Sequence, residues 1–251
     1  MLKKIVNLLP EWVKEGLRQV KKFILSILFY GRGRRCPVCG HEYSKFRKAG
    51  VPPREDAVCI NCGAMERNRF AWIYINKKTN LFSESPKRML HVAPEKCFES
   101  RFRKYLGDNY ITADLLDPRV MLKMDITDIQ YQDEYFDVIY CSHVLEHVPD
   151  DRKAMREFYR VLKQNGWAIL LVPVDAEKTF EDPTIVDPSE RLRIFGQSDH
   201  VRIYGHDFAD RLREAGFKVN VSSVPDICGK DDIVLMGLTP ACGEIYYCTK
   251  V

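Results

Sequence analysis

Residues 136–173 read FDVIYCSHVLEHVPDDRKAMREFYRVLKQNGWAILLVP. Phe136–Cys141 is a short β-branched and aromatic run, and Trp167–Val172 is almost continuously apolar. Both patterns suit strands buried on two faces in a parallel sheet. Between them Pro149-Asp150-Asp151 opens a helix, with Met155, Phe158, Tyr159 and Leu162 at helical spacing. Lys163 falls in the expected last turn and Gly166 at the expected stop. The stretch is a strand–helix–strand unit with a parallel crossover.

The same grammar extends upstream. KRMLHVAPEKCFESRFRKYLG (87–107) reads as strand, turn and helix. NYITADL (109–115) and VMLKMDITDI (120–129) read as strands that end in acid. Strands alternating with helices predict an α/β doubly wound sheet, with ligands beyond the carboxyl ends of its strands.

The wording is more specific than the pattern. The FDVI strand, SHVLEHV, RVLK and NGWAILLVPV together resemble the fourth-to-fifth-strand region of class I S-adenosylmethionine-dependent methyltransferases. The resemblance covers residues 87–250 and implies a Rossmann-like seven-stranded sheet. It places Asp114, with Leu115, at the cofactor's ribose and Asp125, with Ile126, near its adenine. A carboxylate can accept two hydrogen bonds from a diol, as the ribose role requires; as isolated residues, either Asp is equally a cap or turn residue. Cys141 and His143 would line the cofactor from the end of the fourth strand.

The first loop departs from the family. His91–Cys97 contains no glycine where the family carries a glycine-rich run. Two readings stand: a reshaped loop or a catalytically dead, scaffold-like relative. Pro94 and Glu95 suit a helix start, which favours a reshaped loop in which Ala93, Pro94 and Glu95 meet the cofactor, Glu95 at its ammonium. His143 and His147 lie four apart, but Pro149 leaves no helix of useful length to present them to a metal. His143 or Glu146 would touch cofactor or acceptor, and His147 reads equally as a structural hydrogen-bonder.

Residues 175–205 are polar, with proline, aromatic and basic residues, a length that implies function or disorder. In the family the segment after the fifth strand forms the acceptor wall. His200, Arg202 and Tyr204 share one side of an extended chain and are expected to offer a base, a fork for anions and an aromatic surface. The alternative is a hydrogen-bonded loop closing the sheet edge. HDFADRLREAGF, FKVNVSSV and EIYYCTK then resemble the family's last helix and its sixth and seventh strands.

Two CxxCG turns, CPVCG at Cys36–Gly40 and CINCG at Cys59–Gly63, predict a zinc ribbon held by Cys36, Cys39, Cys59 and Cys62. Four protein ligands leave no open position, so this zinc is structural. The charged group Glu66, Arg67 and Arg69 is read as solvated, locally paired, or facing a docking partner or anionic substrate. The expected division is 1–35 basic amphipathic helix, 36–80 ribbon and linker helix, and 81–251 methyltransferase domain.

The formal charge is +4, yet residues 1–35 hold nine Lys and Arg against two Glu, leaving the remainder at −3. An acidic remainder argues against a nucleic-acid groove over the catalytic part. Nine cysteines in this pattern suit a reducing, cytoplasmic setting. Over residues 10–30 Trp12, Val13, Leu17, Val20, Ile24, Ile27 and Leu28 form one apolar stripe, and the longest apolar core, Phe23 to Tyr30 broken by Ser26, is too short to span a bilayer. Packing on protein and peripheral contact with an anionic membrane at its inner face are both consistent with it. The expected reaction is methyl transfer from S-adenosylmethionine to a small-molecule or saccharide-like acceptor. RNA methylation and a non-catalytic scaffold are the alternatives.

Overall fold

The computed structural model describes residues 10–50, 52–83 and 85–250. The first nine residues of the expected N-terminal segment lie outside the described residues. The chain forms two units, Met1–Ile73 with Cys228–Cys242, and Tyr74–Ile227 with Gly243–Val251.

In the first unit α1 runs Glu11–Leu28. Pro10 stands just before it, and its carbonyl accepts from the N–H groups of Val13 and Lys14. The apolar stripe of α1 lies open to solvent: Trp12 is 78 % and Phe23 67 % exposed. That exposure rules out packing of this face on the chain's own core. No helix among the described residues is long and apolar enough to cross a membrane. Two small antiparallel pairs follow, β1 (Arg34–Arg35) with β2 (Glu42–Tyr43), and β3 (Arg47–Ala49) with β4 (Arg54–Val58). Helix α2 spans Glu66–Lys78.

At the charged start of α2, Glu66 and Arg69 are buried and engaged within the protein. Glu66 is buried and takes a forked ion pair from Arg54, with Nε at 3.0 Å. The fully buried Arg69 guanidinium donates to the carbonyls of Asp56, Ala57, Ala64, Met236 and Gly237 at 2.7–3.0 Å. It also stacks on Phe46. A planar fork with five N–H donors is the one side chain that can satisfy so many carbonyls at once. Through it, the returning segment 228–242 is tied to the cysteine-bearing turns.

The second unit is built on β5 (Met89–Val92), α3 (Lys96–Leu106), β6 (Tyr110–Asp114), β7 (Leu122–Lys123), β8 (Phe136–Ser142), α4 (Asp151–Val161) and β9 (Leu162–Leu171). After β9 come β10 (Val174–Ala176), β11 (Phe180–Glu181), α5 (Pro188–Phe195), β12 (Arg202–Gly205), α6 (Phe208–Glu214), β13 (Lys218–Ser222) and β14 (Ile245–Thr249). The seven-stranded sheet has the order β13-β14-β9-β8-β5-β6-β7. All neighbours pair in parallel except around β14, which is antiparallel to both β13 and β9. Fully buried residues such as Leu90, Ile139, Phe158 and Leu170 fill the core, as strands covered on both faces require.

The central stretch differs from expectation at one boundary. Helix α4 ends at Val161 and β9 starts directly at Leu162, so Lys163 and Gly166 belong to the strand. Phe136 pairs with Leu162 but Val138 with Trp167, and the intervening residues bulge outward. Asn165 takes a left-handed φ of 61° there, and Lys163 pairs with Asp137 at 2.8 Å. The bulge absorbs the residues that resemble a helix stop in the sequence.

Residues 175–205 are ordered. β12 sits between β10 and β11 in a three-stranded sheet, and Asp187 caps α5 through the N–H groups of Ser189 and Glu190.

Candidate active site

The chain leaves β5 for β6 and β7 on one side and returns to β8 and β9 on the other, so the order reverses between β5 and β8. A ligand crevice is expected outside the carboxyl ends of these two strands. Both strands end in a non-glycine residue with left-handed backbone, Ala93 (φ 49°) after β5 and His143 (φ 55°) after β8. Such conformations are uncommon outside glycine and gather at ligand sites. Ala93 thus supplies the turn that a glycine would make, which answers how a glycine-free loop passes the strand end.

Glu95 stands at the N-cap of α3, two residues after Ala93. The wholly buried His91 of β5 lies behind it: Tyr110 Oη is 2.8 Å from Nδ1, and Nε2 is 2.7 Å from Glu95 Oε2. A carboxylate only accepts, so Nε2–H donates to Glu95 and the tyrosine hydroxyl donates to Nδ1. The relay fixes the Glu95 carboxylate at the strand ends. Nothing in the sequence paired His91 with Glu95 beyond their four-residue spacing.

At the end of β6, Asp114 Oδ1 accepts from the N–H groups of Leu116 and Asp117 at 2.7 and 2.8 Å. Leu115 is half exposed beside it. After β7, Asp125 is exposed and its Oδ1 accepts from Thr127 N–H and hydroxyl, whereas Ile126 packs into the core. Ala93, Pro94, Glu95, Asp114, Leu115, Asp125 and His143 therefore all lie at or just after the carboxyl ends of the parallel strands β5 to β8. Cys141 does not join them. It is 1 % exposed, sits in the core, and burial pushes its thiol well above the ordinary range. Its side chain points to the sheet's packing, which corrects its expected place at the cofactor.

The loop after β8 brings a second group together. Glu146 is buried, with Oε1 at 3.3 Å from His143 Nδ1. His147 and His200 meet edge to face, ring centroids 4.6 Å apart. Burial, and then the nearby His147, lowers the His200 pKa below its ordinary value. The sequence could not pair residues 53 positions apart.

Arg202 and Tyr204 are buried, and this corrects their expected contact with an acceptor. Arg202 donates to Glu181 (2.8 Å) and to the carbonyls of Leu145, Val148 and Pro149. The Tyr204 hydroxyl donates to Asp151 at 2.6 Å, and Arg211 bridges Asp151 and Glu181. Four of its five N–H donors are engaged inside the protein and the residue is only 2 % exposed, so Arg202 reads as a structural clamp. The network instead clamps β12 to the loop after β8 and so positions His200.

In the first unit the two CxxCG turns repeat one geometry. Cys36 N–H donates to the His41 carbonyl and Gly40 N–H to that of Cys36; Cys59, Ala64 and Gly63 repeat the pair. Gly40 and Gly63 both have φ 75°. The Sγ atoms of Cys36 and Cys62, and of Cys39 and Cys59, lie 3.7 Å apart. A tetrahedral ion with metal–sulfur bonds of about 2.3 Å sets its sulfurs about 3.8 Å apart, so the four thiols fit such an ion. Hydrogen bonding within the cluster lowers Cys39 and Cys59 and raises Cys36 and Cys62. His41 is exposed and turned to the Cys39 carbonyl and Asn61.

A mostly parallel seven-stranded sheet with this order and a single reversed strand defines the class I S-adenosylmethionine-dependent methyltransferase fold. Residues 87–170, a third of the chain, match the family described as "Methyltransferase domain". It is 39 % identical over 74 residues to the uncharacterized methyltransferase YcgJ of Bacillus subtilis (strain 168). That match covers 30 % of this chain and 28 % of the relative's length. Among solved structures it is similar to the Burkholderia thailandensis 1,6-didemethyltoxoflavin-N1-methyltransferase, which was solved with its substrate and S-adenosylhomocysteine bound. The two share 13 % identity and a TM-score of 0.50, over 74 % of this chain and 78 % of the other. Phospholethanolamine N-methyltransferase 2 of Haemonchus contortus gives 13 % and 0.50, over 76 % and 54 %. At these identities the two structures speak for the fold alone.

Proposed function

We propose that the chain transfers a methyl group from S-adenosylmethionine to a small-molecule acceptor of saccharide-like, oxygen-rich character. The observation that carries this reading is the Ala93–Glu95 turn at the switch point, with its carboxylate fixed by His91 and with Asp114 on the neighbouring strand end. S-adenosylmethionine, when bound, supplies an electrophilic methyl group. Glu95 binds its ammonium, and Asp114, oriented by two backbone N–H groups, binds the ribose hydroxyls. Asp125 stands toward the adenine, whereas Ile126 packs into the core behind it. Alignment and desolvation of the bound reactants provide most of the rate. His143, Glu146 and His200 handle the acceptor's proton. Cys36, Cys39, Cys59 and Cys62 hold a structural zinc ion, supported by their spacing and by the paired turns.

Incubation of the purified chain with methyl-tritiated S-adenosylmethionine and fractionated metabolites or RNA tests the acceptor class. Label in a small hydroxyl-bearing metabolite is expected. Label confined to RNA would replace the small-molecule reading by RNA methylation, and label in neither fraction would favour the scaffold.

A further inference from the structure

Glu146 is 1 % exposed, and its Oε2 is buried with no hydrogen-bond partner among the described residues. Leaving a buried polar atom unmatched costs about 1–3 kcal/mol, and more when it is charged. A positively charged partner would satisfy this oxygen, and among the described residues no Lys or Arg fills the place. The nearest chemistry is the two imidazoles: the ligating atoms of Glu146, His147 and His200 all lie within 4.8 Å of one another.

The surroundings hold this group in place. Val201 N–H donates to the Glu146 carbonyl at 2.9 Å, and Arg202 gathers the carbonyls on either side. Asp199 Oδ2 lies 3.3 Å from His147 Nδ1, and His143 contacts Glu146 Oε1. Carboxylate and imidazole groups placed behind ligands in this way orient metal-binding side chains.

We propose that Glu146, His147 and His200 bind a divalent first-row transition-metal ion, separate from the four-thiolate ion, whose open positions take an oxygen of the methyl acceptor. Two imidazoles and one carboxylate suit zinc, iron, cobalt or nickel and leave sites free. Metal binding stands on the geometry above; its role toward the acceptor rests on the methyl-transfer reading. A hydroxyl bound to the ion loses its proton to solvent more readily. Its lone pair then forms the bond to the methyl carbon while the carbon–sulfur bond breaks, the electron pair staying on sulfur. The net products are methyl ether, thioether and one proton. Ligation replaces a general-base role for His200, and it favours acceptors with adjacent oxygens, such as vicinal diols.

Titration of the metal-stripped full chain with Co2+ tests the site. Four-thiolate cobalt has intense charge-transfer bands, whereas a nitrogen–oxygen site has weak visible bands alone. The parent chain is expected to take a second equivalent with the weak spectrum. Glu146→Gln and the partly exposed His147→Ala should lose it while keeping the thiolate bands, and Asp199→Asn should weaken it about 10–100-fold. Because the thiolates lie in the first unit and the substituted residues in the second, circular dichroism and the unfolding temperature report that each variant has folded. A parent that binds only thiolate-type cobalt at about 1 mM, a metal bound no more tightly than about −4 kcal/mol, would overturn the site. So would a second equivalent retained in His147→Ala. S-adenosylmethionine binding on the same samples separates the two readings: cofactor binding without the second cobalt sinks the metal site, and the second cobalt without cofactor binding sinks only its role in methyl transfer.

Discussion

Arg202 shows how much one side chain can position. Four acceptors from β11 and from the loop after β8 converge on it inside the protein, and Tyr204 and Arg211 complete the network through Asp151. Removing one member of a buried charged network leaves the others unmatched, at a cost of about 3–5 kcal/mol. Arg202→Met is accordingly expected to lower the stability of the chain by that order in urea or thermal unfolding. Its effect on an acceptor should follow from unfolding and not from a lost contact. Full parental stability with selectively weakened acceptor binding would instead restore the direct role. The same logic separates Arg69 from a ligand role, since five main-chain carbonyls already use its fork.

The ribbon turns act as elements. Two short hairpin-like turns with few apolar residues gain little from a core, and metal coordination by four thiolates supplies folding free energy in its place. One thiolate-bound zinc per chain is expected by elemental analysis, and chelation or Cys36→Ser should release it. Limited proteolysis should then open the segment around residues 36–64 first. Retention of the zinc in Cys36→Ser would contradict the assignment. These turns were legible in the sequence because CxxCG fixes both the ligands and the turn within five residues. The strands were legible for a similar reason, since burial on both faces leaves uninterrupted runs at 138–141 and 167–172. The start of β9 was not, because the helix-stop signal Lys163…Gly166 is also the composition of an exposed bulge. Nor was the pairing of His147 with His200, which depends on the path of β12 and on Arg202, not on any local pattern.

At the scale of the whole molecule, the glycine-free first loop is the feature that divides an enzyme from a scaffold. Sequence alone registers a missing glycine run. The fold supplies an alternative in Ala93, whose left-handed backbone makes the turn, and in the Tyr110–His91–Glu95 relay, whose members are separated by a helix and a strand. The return of residues 228–242 to the first unit was equally hidden, because the hydrogen bonds from buried Arg69 that hold it there reach across 167 and 168 positions of sequence. Cofactor binding at the strand ends is the claim on which the functional account stands. Calorimetric titration with S-adenosylmethionine measures it most directly. The parent chain should bind, and Asp114→Ala should weaken binding at least about tenfold, or about 1.4 kcal/mol, at a temperature where the variant, which loses two side-chain-to-backbone hydrogen bonds, is still fully folded. No heat of binding for the parent chain at millimolar cofactor, or equal affinity in Asp114→Ala, would contradict the account.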